Sequence, residues 1–123
     1  MSDNHFDFSL WKRICKKQHE DAEAYRRKAL HELWDALTVL YESYKWDELF
    51  IFDSITKEGC FFHRSDVDIG VSGLDKFLQY SFIAKLSTML NRDVDVVRLE
   101  ECRFAKTILS RGIQWNKNKP LSF

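Results

Sequence analysis

Three aspartates carry the chemistry that this sequence offers: Asp66 and Asp68, two positions apart, and Asp95 further along. Alternate residues of an extended strand point to the same side, so Asp66 and Asp68 share a face. Like charges held together repel unless a cation, a proton or a basic group answers them. Magnesium with substrate phosphates is a natural answer, because it takes a few carboxylate oxygens and leaves its other positions to phosphate and water. Asp95, on a predicted neighbouring strand, completes the set. Two ions held this way could activate a hydroxyl nucleophile and stabilise departing pyrophosphate during in-line transfer. Ser54, at a strand-to-helix junction, brings a hydroxyl and free backbone donors suited to phosphate oxygens. By spacing alone, Asp-x-Asp also describes a solvated surface pair, and Asp93 with Asp95 repeats that ambiguity.

These residues need strands and turns to place them. A helical pattern opens near Ser9, a capping residue, and runs to about Tyr44. Trp11, Ile14, Cys15, Gln18, Ala22, Tyr25 and Ala29 form one stripe, which Leu30, Leu33, Trp34, Leu37, Leu40 and Tyr41 continue. The span is long for a globular helix, so a break near His19–Ala22 is one expectation. Its forward half is locally basic and reads mainly as a solvated face projecting past the core, with a partner or RNA contact as the alternative. Leu49–Phe52 predicts a buried strand, and Asp53 or Ser54 caps a short helical turn before Gly59. Asp66–Val71 and Asp93–Val97 predict two more strands. Between them Leu74 to Leu90 predicts a helix, with Leu74, Phe77, Leu78, Phe82, Leu86 and Met89 as core contacts. A last helix covers Leu99 to Ser110, Gly112 stops it, and Ile113–Trp115 adds an edge strand. The class is α/β or α+β: a short mixed sheet flanked by helices, with a long N-terminal helix.

The 123 residues suffice for one domain with a real core and are too few for two ordinary ones. Residues 1–123 therefore read as a single domain, with a helical extension over about 9–44 and a loosely ordered tail over 116–123. Lysine plus arginine and aspartate plus glutamate number 19 each, which removes any whole-molecule steering toward nucleic acid. No nucleic-acid recognition motif accompanies the basic residues either. The sequence has neither a signal-peptide pattern nor a membrane-length apolar run, so the expected compartment is the cytoplasm, with no membrane partner. Cys15, Cys60 and Cys102 read as reduced thiols. Aromatic residues, 15% of the chain, exceed what a small core easily hides and suggest an apolar partner surface. The four histidines share no ligand spacing, although His63 lies close to Asp66.

From Leu49 to Leu74 the sequence LFIFDSITKEGCFFHRSDVDIGVSGL resembles the core motif of the minimal nucleotidyltransferases, members of the DNA-polymerase-beta-like superfamily. That motif is a hydrophobic strand, Gly-Ser, about ten residues, then Ser-Asp-x-Asp and hydrophobics. Ser54 matches the motif serine, Ser65-Asp66-Val67-Asp68-Ile69 the paired aspartates, and Val94-Asp95-Val96-Val97 the third aspartate. Lys57 takes roughly the place of a family arginine, and Arg64 precedes the aspartates. The resemblance covers roughly residues 30–115, ending with a closing helix and Gly-Ile turn. It implies Asp66, Asp68 and Asp95 as catalytic metal ligands for magnesium, or manganese in its place. It also implies ATP as substrate, held by Ser54, Lys57, Arg64 and Ser65. The implied activity is transfer of AMP to a protein acceptor, and the implied partner is a HEPN-type ribonuclease toxin in a homo- or hetero-oligomeric assembly.

One position departs from the motif: Asp53 stands where the family has glycine, adding bulk and negative charge where phosphate should sit. Two outcomes stay open. Asp53 swings away or joins the metal set and the chain transfers AMP, or transfer is lost and the chain acts as an antitoxin by complex formation.

Overall fold

The structure, a computed structural model, describes residues 8–62 and 64–121. The first helix, α1, runs unbroken over Phe8–Tyr44. Its sequence holds no glycine or proline, so the break expected near His19–Ala22 does not occur. Its buried positions begin only at Glu23, and Trp11 and Ile14 are about half exposed. The forward half of the helix thus projects past the core, as its polarity suggested. From Ala29 onward Leu30, Leu33, Leu37 and Leu40, spaced three and four apart, form the face that meets the sheet.

Four strands follow, β1 (Glu48–Phe52), β2 (Val67–Ser72), β3 (Val94–Arg98) and β4 (Ile113–Trp115), in the order β3-β2-β1-β4. β1 is antiparallel to β2 and β4, whereas β2 and β3 are parallel. A parallel pair needs a crossover, and α2 (Gln79–Leu90) supplies it. Leu49, Ile51, Val67, Ile69, Val71 and Val94 pack with α1 and with Phe82 and Leu86 of α2. The last helix, α3 (Ala105–Arg111), serves the opposite face through Ile108. There Gly70 permits close approach: a Cβ on it would stand 2.8 Å from Leu99 Cδ2 and 3.2 Å from Ile108 Cγ2. Trp46, Trp115 and Tyr41 close the β4 side, with the two indole rings 5.2 Å apart.

Several expected boundaries move. Leu74 is buried but precedes a 3-10 turn, Lys76–Leu78, in which Asp75 accepts the Phe77 N–H at 2.9 Å. The turn throws Phe77 outward, 91% exposed, and Leu78 and Met89 are also exposed, so these three are not core contacts. The helix expected from Leu99 is likewise split into a 3-10 turn, Leu99–Glu101, and α3. The described part of the tail contacts α1 and the core. Trp34 Nε1 donates to the Lys119 carbonyl at 3.3 Å, Lys117 Nζ meets Glu42 at 2.9 Å, and Leu121 packs on the core. The three cysteines are free thiols. No helix among the described residues is long and apolar enough to cross a membrane.

Candidate active site

β2 places Asp68 on the face opposite Val67 and Ile69, whose side chains fill the core. In the parallel register Asp68 stands opposite Asp95, and across the antiparallel pair it stands opposite Phe52. Phe52, Asp68 and Asp95 therefore form one row across three strands. Asp66 lies one residue before β2 and is exposed, while Asp68 is half-buried and Asp95 exposed. The expected strand begins one residue later than the alternation suggested.

Asp68 holds its proton up to a pKa of about 6. Burial is the largest cause, followed by the charges of Asp53, Asp95 and Asp66 in that order. Four carboxylates thus act on one opening of the sheet. Among the described residues, no three His, Cys, Asp or Glu side chains form a closed metal-ligand cluster. The donor set nevertheless suits a hard divalent cation: it is oxygen-only, anionic, and centred on a carboxyl whose charge is disfavoured by burial and by three like charges that a cation would offset.

Asp53 opens a 3-10 turn, Asp53–Thr56, with φ of +65°, in the left-handed region that favours glycine. Aspartate tolerates that region better than most residues, so the turn forms without glycine. Ser54 is half-buried on this turn, and its carbonyl accepts the Lys57 N–H at 3.1 Å. Lys57 and Arg64 are exposed, and among the described residues neither forms an ion pair with the four aspartates. The Ser65 hydroxyl accepts the Phe62 N–H at 2.9 Å and so braces its own loop. His63 lies outside the described residues.

Sequence reasoning missed Arg92, a basic residue that holds the loop leading into Asp66. It donates to the Ser65 and Phe62 carbonyls and to the Tyr25 hydroxyl, and its guanidinium lies 4.5 Å from the centre of the Phe61 ring. Arg64, Ser65, Asp66, Asn91, Arg92 and Asp93 line a shallow cleft of about 360 Å³. The only signal in the sequence was an arginine in a turn beside Asp93. The charges of Glu23 and Arg26, assigned to a solvated helix face, are also misread: Glu23 is buried and paired with Arg26.

A mixed β3-β2-β1-β4 sheet with this long helix and its crossover has counterparts among solved structures. A chain of a toxin–antitoxin crystal structure with AMP-PNP superposes with a TM-score of 0.58 and 24% identity, covering 70% of this chain and 74% of that one. The chain has the minimal nucleotidyltransferase fold. A chain of the MntA–HepT toxin–antitoxin structure gives a TM-score of 0.51 and 22% identity, covering 68% of each chain. No protein-family model and no curated protein matches the sequence.

Proposed function

We propose that this chain is a metal-dependent nucleotidyltransferase that moves AMP from ATP to a protein acceptor, acting as the antitoxin of a HEPN-type toxin. The observation that carries the reading is Asp68 opposite Asp95, with Asp66 close enough for its charge to act on Asp68. Structural similarity to toxin–antitoxin chains, one solved with AMP-PNP, supports both the partner class and the nucleotide. The reading includes a cytoplasmic setting, where ATP and free thiols coexist.

In this reading Asp66, Asp68 and Asp95 hold magnesium, or manganese in its place. The bound ion would supply Lewis-acid polarisation of the phosphate oxygens. Ser54 and the backbone of its turn hold the phosphates, Lys57 and Arg64 screen their charge, and Ser65 keeps the approach to Asp66 in shape. An acceptor hydroxyl oxygen bonds to the α-phosphorus. The bond from that phosphorus to the bridging oxygen breaks, pyrophosphate leaves with the electron pair, and the hydroxyl proton passes to solvent.

A second reading rests on Asp53, whose charge acts on Asp68 and adds to the repulsion that a triphosphate meets. There the chain silences its partner by complex formation without transfer. ATP labelled at the α-phosphate separates the two. Magnesium-dependent labelling of the co-purified partner, abolished in Asp66→Asn plus Asp68→Asn, is the expected result. A complex that stays tight in that double variant, with no labelling by the unaltered protein, would establish the binding antitoxin instead.

A further inference from the structure

We infer that one turn of α1, Glu23 to Arg26, is a clamp that positions the loop between β1 and β2, carrying Ser54 and Asp66, for nucleotide binding. The inference rests on the reading of this site as a nucleotide site and adds positioning residues that touch neither nucleotide nor metal.

The turn reaches the loop from two sides. Glu23, only 8% exposed, takes Arg26 on both carboxylate oxygens at 3.0 and 3.2 Å. The same carboxylate accepts the Gly59 N–H at 2.6 Å, while Arg26 Nη1 donates to the Ile55 carbonyl at 3.1 Å. One ion pair therefore holds the chain just after Ser54. Between these residues, Tyr25 stacks on Phe61 with ring centres 5.9 Å apart, and its hydroxyl accepts from Arg92. Arg92 in turn holds the Ser65 and Phe62 carbonyls, immediately before Asp66. Both ends of the loop are thus fastened to the same helical turn, one directly and one through Arg92.

Burying an ion pair costs desolvation that its attraction barely offsets, so such a pair is a poor means of holding a fold together. What it provides here is direction. The pair's outward acceptors and donors are spent on loop backbone, where a shift of about 1 Å at a positioned group can cost as much as a hundredfold in rate. The buried apolar residues of α1 begin at Ala29, beyond this turn, so most of the helix's packing on the sheet does not involve these charges.

The test compares Glu23→Gln and Tyr25→Phe with the unaltered chain by amide hydrogen exchange and by calorimetric binding of magnesium with AMP-PNP. Glu23→Gln keeps an acceptor for Gly59 but loses the ion pair; Tyr25→Phe keeps the ring stack but loses the hydroxyl that Arg92 grips. In both, amides of 53–66 should exchange faster while those of Ile69 and Phe82 keep their protection, and AMP-PNP affinity should fall roughly tenfold. Ile108→Val, a control outside the clamp, should lower global stability without changing that affinity. Loop exchange that rises only in step with the core would overturn the clamp, and so would a loosened loop that binds AMP-PNP as before. If the unaltered chain binds no AMP-PNP, the nucleotide reading fails, and loop exchange alone then decides whether the turn holds the loop.

Discussion

Asp68 binds its proton more tightly in the folded chain than in the unfolded one, with a pKa of about 6 against an ordinary 3.8. Between those values the native state holds more protons, so this carboxyl's contribution to stability falls as pH rises through the window and is flat above it. Asp68→Asn removes that fall. Relative to the unaltered chain it should gain on the order of 1 kcal/mol at about pH 7.5, above the native pKa, a gain kept modest because solvent screens much of the shift at a half-exposed carboxyl, and nothing below pH ~4, where both states are protonated. Urea unfolding across that range measures the difference. Glu23 behaves oppositely. Its hydrogen bond from Arg26 lowers its pKa, so its contribution is present above the ordinary carboxylate value and lost as pH drops below it. Asp53→Gly should relieve the left-handed strain by about 1 kcal/mol and bring the Asp68 titration, followed by carboxyl NMR, down toward the usual range.

The elements show which parts of the site could be seen beforehand. Alternation in Val67–Val71 and Val94–Val97 put Asp68 and Asp95 on the side away from the core, because a period of two leaves no other choice. It could not reveal that the strands lie side by side in register, which depends on the α2 crossover. The start of α2 was misjudged because Phe77 and Leu78 look like core residues, whereas the Asp75 cap diverts them. Glu23 and Arg26 were illegible for a different reason: charged residues on a long helix look solvated until the loop that covers them is known. At this scale Gly70 offers a test. Gly70→Val drives a side chain into Leu99 and Ile108, and should cost about 1–3 kcal/mol in thermal unfolding while lifting α3 from the sheet.

For the whole molecule, a ligand that binds only the folded chain raises its stability by mass action. Magnesium with AMP-PNP at about a hundred times its dissociation constant should add roughly 2.7 kcal/mol, read as a higher melting temperature at neutral pH. The gain should shrink on acidification below about pH 6, where Asp68 takes up its proton and stops serving as an anionic ligand. Asp66→Asn should reduce the gain at every pH without flattening the acid dependence that Asp68 introduces. The exposed Phe77, Tyr80 and Phe104 show that part of the aromatic excess lies outside the core.

The backbone at Asp53 already has the shape that glycine would adopt without cost. Aspartate and glycine codons differ only in their middle base. A gene encoding this chain is therefore a single nucleotide substitution from a glycine-serine turn, with no refolding to accompany the change. Random mutagenesis followed by selection for tighter nucleotide capture should recover that substitution among its first products, and the reverse step offers a lineage an equally short route to a quieter protein.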